Sequence, residues 1–446
     1  MANTRLPIPS FISAGFKELR KRLFFVFVSL VVYRIGAHIT VPGINAERLS
    51  ALFNQTGSGL MAYFDMVSGG NLSQFTLFAV GLGPYITVSI LLRILTTILP
   101  SLEQLKKEGE AGRRKLNQYT RYGALALSIV YSYGLTQGLV FQGVVDDPSF
   151  QFYGIAMLTL VTGALFLMWL GEQITERGVG NGTSLIISAG IISGLPSSII
   201  QFLEQIRQGQ ATLLSFILVT AIIIGVSAFI IFMERAQRKI TVNYPQRQQG
   251  RRIYAAQTSH LPLKINMTGI MPTIFASNFM AIPTILLSLL TWLNGKGKLP
   301  FLEELNLMLS PGQPLYMLLL ALAIIFFSFF YTALDFNPRE MADNLKKSGA
   351  FIPSIRPGEH SAHYIDKVMT RLTAVGSIYL VFIVLLPNLM RSSLKGSFAS
   401  FGGISLLIVI VVMMEFIAQI QSLIMSHQYE PLLKKAKLKG ISTGSL

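Results

Sequence analysis

The sequence predicts an all-α polytopic membrane protein of ten transmembrane helices, arranged as two inverted five-helix halves. Three observations predict it. The chain of 446 residues is 51% hydrophobic and 13% charged, with a mean hydropathy of +0.54, and its apolar runs match the ~20 residues a helix needs to cross a bilayer. Its basic residues gather on one side of those runs. The pattern Gly-x-x-Pro-x-Ile occurs twice, at Gly81 to Ile86 and at Gly269 to Ile274, each time near the start of the second apolar segment of its half.

The spans fall near 23–41, 75–98, 122–141, 152–171, 183–203, 212–233, 268–292, 315–334, 372–390 and 404–425. Net charge is +16, and an inside N-terminus puts most of the 37 Lys and Arg residues in cytoplasmic segments. Both termini are then cytoplasmic. The absence of cysteine excludes a disulfide framework, thiolate chemistry and a Cys-based metal site. Met1 to Ser10 lack the apolar core of a cleavable signal, which leaves the first span as the address.

Taken in order, Phe11 to Arg22 form a short basic amphipathic segment suited to an anionic membrane surface. Arg34 lies inside span one and snorkels or pairs. The stretch Gly57 to Gly70 is too short to cross and too apolar for an open loop. It reads either as an interfacial or re-entrant segment or as a movable lid hinged on glycines. A basic loop from Lys106 to Lys115 follows span two, and spans three and four are plain packing helices.

Gly171 to Ser184 joins spans four and five. Its glycines do not make a dinucleotide loop, because a membrane helix rather than a strand precedes them. A tight polar turn with Asn181 or Thr183 capping span five fits better. Two long loops, 234–267 and 335–370, carry basic residues including Arg247, Arg251, Arg252, Arg339 and Arg356. Far longer than a topology signal needs, they predict a docking surface for a large partner, standing roughly 20 Å off the membrane if built of helical legs. His360 and His363 lack a ligand cluster, and Glu415 in span ten reads as a paired acid near the inner end.

Halves of five spans have opposite topology, which implies a pseudo-twofold axis in the membrane plane and a pathway between them. The residues offered to that pathway are apolar: Leu82 and Ile86 from one repeat, Ile274 from the other. Such a constriction excludes ions by dewetting yet yields to a passing chain. A small-solute transporter would instead need ionisable groups at mid-membrane, and a scaffold would not need matched helix breaks.

The chain closely resembles the bacterial SecY family, the central subunit of the general protein-translocation channel. The resemblance rests on Ser68-Gly69-Gly70, Gly81 to Ile86, Gly171 to Gly182, Gln249 to Gln257, Phe336 to Gly349 and Arg356-Pro357-Gly358. It implies a clamshell of halves 1–211 and 212–446, with a pore ring at Leu82, Ile86, Thr183, Ile187, Ile274 and Ile408. Thr183 departs from the aliphatic residue usual there. A plug near 58–72 would use Leu60, Phe64, Val67, Gly69 and Gly70, and a lateral gate would carry Thr87, Ser89 and Asn278 as polar residues. Arg251, Arg252, Arg339 and Arg356 would meet the ribosome, including its RNA, or the SecA motor ATPase. The family further implies SecE and SecG subunits, secretory and membrane-protein polypeptides as cargo released across or into the lipid bilayer, a bacterial inner-membrane location, no enzymatic activity and no cofactor.

Overall fold

A computed structural model describes residues 10–45, 47–49, 65, 68–145, 147–209, 212–244, 247–249, 252–254, 257–280, 283, 304–305, 308–309, 313–393 and 403–442. Helix α1 covers Ser10–Gly36. Turns and isolated bridges lead to α2, Gly83–Ile98, and α3, Pro100–Lys107. Helices α4, Glu110–Phe141, α5, Phe150–Arg177, α6, Gly182–Arg207, and α7, Leu213–Arg235, complete the first run. Four strands follow: β1, Gln237–Tyr244, β2, Arg247–Gln249, β3, Arg252–Tyr254, and β4, Gln257–Lys264. A helical stretch at 271–280 precedes α8, Pro314–Asp335, α9, Pro338–Lys347, α10, Glu359–Ser393, and α11, Gly403–Ser442.

Each predicted span falls on one of these helices as far as it is described; of the seventh, 268–292, residues 281–282 and 284–292 lie outside the described residues. Among the described residues seven are long and apolar enough to cross a membrane, or eight if α2 and α3 are one broken span. Those two meet at 100°. The cause is local: Leu99 precedes Pro100, and the proline ring pushes it out of helical geometry to φ −95°, ψ 115°. Helix α3 then runs with Glu103 in its first turn and Lys106 and Lys107 in its last, matching the helix dipole.

The second predicted span is shorter than expected, for residues 69–82 are turns and α2 starts only at Gly83. The Gly-x-x-Pro repeat is therefore a helix start rather than a loosened point within a helix. Proline in the first turn sacrifices no hydrogen bond, because that N–H has no intrahelical partner anyway.

The long loops also differ from the expected helical legs. Strands β1 and β4 pair antiparallel from Gln237 opposite Lys264 to Tyr244 opposite Gln257. Eight residues at ~3.3 Å each reach about 26 Å. The second loop does not stand apart: Asn243 and Phe351 exchange backbone hydrogen bonds at 2.9 and 3.0 Å. Ile240 and Leu263 of the hairpin share a core with Ala342 of α9, Ile352, and Ile365 and Met369 of α10. Hairpin, α9 and the start of α10 make one body.

Candidate functional site

The centre is built from the two helix starts. Gly81 and Gly269 have φ of +59° and +61°, a left-handed conformation that glycine adopts without steric cost. Each turns the chain into a helix. The Leu82 carbonyl accepts from the Ile86 N–H at 3.0 Å, and the Ile270 carbonyl accepts from the Ile274 N–H at 3.3 Å. Ile86 and Ile274 thus stand one turn beyond matching residues, Leu82 and Ile270.

Leu82, Ile187, Ile270, Ile274 and Ile408 are all buried in one hydrophobic cluster, with Ile86 packed against it. They come from the N-cap and first turn of α2, from α6, from the stretch 269–280 and from α11, elements on both sides of the midpoint. Full burial of each such side chain stabilises by ~1.5–3 kcal/mol. Ile270 was absent from the sequence-derived set. Aligning the repeats on their glycines places it opposite Leu82, so the signal was present.

Thr183 lies in the first turn of α6, under the cap that the sequence suggested. Asn181 Oδ1 accepts from the backbone N–H groups of Thr183 and Ser184, and the Thr183 hydroxyl donates to the same oxygen at 2.7 Å. The hydroxyl is satisfied within its own turn, and a Cβ placed on Gly171 would meet the Thr183 methyl carbon at 3.1 Å.

Of the expected plug residues, Leu60, Phe64 and Val67 lie outside the described residues. Gly69 and Gly70 lie within them. Gly69 touches α6 so closely that a Cβ on it would sit 2.5 Å from the Gly190 Cα, and one on Gly190 would sit 2.8 Å from the Gly69 Cα. The Tyr33 hydroxyl stands over this contact and accepts from Asn71 Nδ2 at 3.2 Å. Asp65 Oδ1 accepts from the Ser73 N–H at 2.7 Å, and the Asp65 carbonyl accepts from the Gly70 N–H at 2.7 Å. Burial pushes the Asp65 carboxyl above the usual carboxylate range, against the lowering effect of its bonds to Ser73.

The expected gate residues lie on two elements. The Thr87 hydroxyl donates back to the Gly83 carbonyl in α2 at 2.9 Å, while Ser89 and Asn278 are half-buried on α2 and on 271–280. A polar contact that does join α2 to α8 went unread. Arg93 donates to the Tyr331 hydroxyl, lies over the Tyr331 ring at 5.5 Å and reaches Asp335 at 4.0 Å. Its ring partner stacks edge-on against Phe275 at 5.5 Å.

Arg339 and Arg356 are exposed on the hairpin body. Arg252 is in β3, opposite Gln249, and Arg251 lies outside the described residues. Among the described residues no cluster of His, Asp or Glu could hold a metal ion.

With this geometry in place, comparison with known proteins is direct. Residues 76–417 match the family described as SecY. The chain is 56% identical over 430 residues to a protein of Escherichia coli (strain K12) described as Protein translocase subunit SecY, with 96% of each chain covered. The chain belongs to the SecY family. SecY relatives are not confined to one species: the Protein translocase subunit SecY of Pseudomonas aeruginosa is 53% identical over 434 residues, covering 97% of each chain. The SecY fold is also met in a solved structure described as that of a protein conducting channel. It superposes with a TM-score of 0.66 at 17% identity, covering 92% of this chain and 93% of the other. The chain is accordingly a multi-pass helical membrane protein with the ten-helix architecture of that channel fold.

Proposed function

We propose that the chain is the protein-conducting channel subunit of a bacterial Sec translocase, passing unfolded secretory polypeptides across the membrane and releasing membrane segments sideways into lipid. The convergence of Leu82, Ile86, Ile187, Ile274 and Ile408 on one apolar cluster carries the reading. Branched aliphatic side chains from several helices can part around a chain of any sequence and close again, because they offer no polar site that binds tightly. Thr183 joins them as the sixth ring residue, its hydroxyl already bonded to Asn181. The channel itself is not an enzyme.

In this reading the halves are 1–211 and 212–446, and the segment near 58–72 is the plug. Its seat is the Gly69–Gly190 contact. The gate opens between α2 and α4 on one side and the stretch 271–280 and α8 on the other, with Thr87, Ser89 and Asn278 as its polar residues. The hairpin body is cytoplasmic, as are both termini, in the inner membrane. Its exposed Arg339 and Arg356, with Arg251 and Arg252, receive the SecA motor or the ribosome and its RNA, and SecE and SecG complete the complex. Membership of the family and the basic charge of these loops support these assignments.

The test uses the natural lack of cysteine. Single cysteines replacing Ile86 and Ile274 should crosslink to a stalled secretory chain in membranes, whereas cysteines at exposed Leu158 and Phe232 should not. A stalled chain that meets neither ring position would overturn the reading.

A further inference from the structure

Glu234 is the penultimate residue of α7 and Asn266 follows β4, so the two flank the base of the hairpin. They are 8% and 4% exposed. The Asn266 amide donates both to Glu234 Oε1, at 2.6 Å, and to the Gly269 carbonyl, at 3.1 Å. The Thr268 hydroxyl donates to Asn266 Oδ1 at 3.4 Å, and the Ile265 N–H donates to the Ala236 carbonyl at 3.0 Å. Tyr379 of α10 is buried near Glu234. The polar contacts therefore run from the hairpin base to the one residue whose left-handed backbone sets the direction of Ile270 and Ile274.

We infer that Glu234 and Asn266 form a strut that carries movement of the hairpin body into the Ile274 constriction. The inference rests on the channel reading above. Its physical basis is that a buried amide with both donors engaged has one orientation, since any other leaves a polar group unpaired away from water. Displacement of the hairpin base moves Asn266, and the Gly269 carbonyl follows. The rotation of that peptide changes where the next turn points. Glu234 and Asn266 touch no cargo in this scheme; they are positioning residues.

The measurement is the rate at which a membrane-impermeant maleimide labels Ile274→Cys in the assembled complex, with and without bound SecA. In the parent, SecA should change the rate about fivefold or more, the range of ordinary coupling between sites. In Asn266→Ala, SecA should bind with unchanged affinity while the change in labelling falls below about twofold. Glu234→Gln keeps an acceptor for Asn266 and should keep the parent response; Glu234→Ala should lose it. If Asn266→Ala fails to assemble, the Gln and Ala variants of Glu234 decide, and equal responses from them overturn the strut. So does a full response in Asn266→Ala. A parent that shows no response to SecA and no crosslink to cargo overturns the channel reading instead.

Discussion

Gly81 to Ile86 and Gly269 to Ile274 share one local structure and differ in what they are attached to. The first is laid against the segment before α2: a Cβ on Gly81 would meet Ser68 at 3.4 Å, and Ser68 is next to the Gly69–Gly190 contact. The second is held from the hairpin base by Asn266 and Glu234. The same helix start is therefore tied to the proposed plug segment in one case and to the hairpin body in the other. A duplicated motif conserves geometry while its surroundings assign the input. If this difference governs the molecule, disturbing one attachment should leave the other intact.

The largest effect is expected from Gly190→Val. No side chain fits against Gly69 without backbone movement, and forcing one there costs ~1–3 kcal/mol. Ion conductance of the resting channel in planar bilayers should rise on the order of tenfold, as 1.4 kcal/mol is tenfold in an equilibrium. SecA affinity should not change. A concurrent loss of SecA binding would show that the two attachments are not separate.

A smaller effect should come from the contact that ties the helix following the first motif to α8. Arg93 joins α2 to Tyr331 and Asp335 of α8, and both ends of the ion pair are more than a third exposed. A double-mutant cycle of Arg93→Ala and Asp335→Ala, read by thermal unfolding of the complex, should give a coupling of ~0.5–1 kcal/mol. Additivity within error would remove the contact from the set of forces that hold α2 against α8.

The smallest effect concerns Asp65. Its carboxyl is held above its ordinary pKa by burial, so the protonated form is favoured by the seated segment. The stability it contributes is complete below the unfolded carboxylate range and is lost as pH rises through the raised value. Resting conductance should fall modestly on acidification towards pH 4, and Asp65→Asn should remove that dependence. A pH response unchanged in Asp65→Asn would assign it to another group.

Much of this was readable without coordinates. The spans are long apolar runs, and where they are described each carries a helix. Asn181 as a cap follows from its place before an apolar period, since a short side-chain oxygen there satisfies N–H groups the helix leaves open. The hairpin was not readable in the same way. In β1 only Ile240 and Val242 are buried, too little alternation in an eight-residue basic segment to announce a strand. Ile240 acquires its partners from Ile352 and Ile365, more than a hundred residues away. The register that would have exposed Ile270 was in plain view, yet its importance depended on seeing Leu82 buried with it.

The sequence alone determined the membrane class, the likeness of the two halves and the two glycine-led helix starts, because hydrophobic length, glycine and proline act through local physics. Only the tertiary structure decided that Gly81 rests beside Ser68 while Gly269 hangs from Asn266, that Thr183 turns its hydroxyl onto the capping oxygen of Asn181, and that Arg93 crosses to α8. Those outcomes depend on which distant groups share a buried volume, where every polar atom must find a partner.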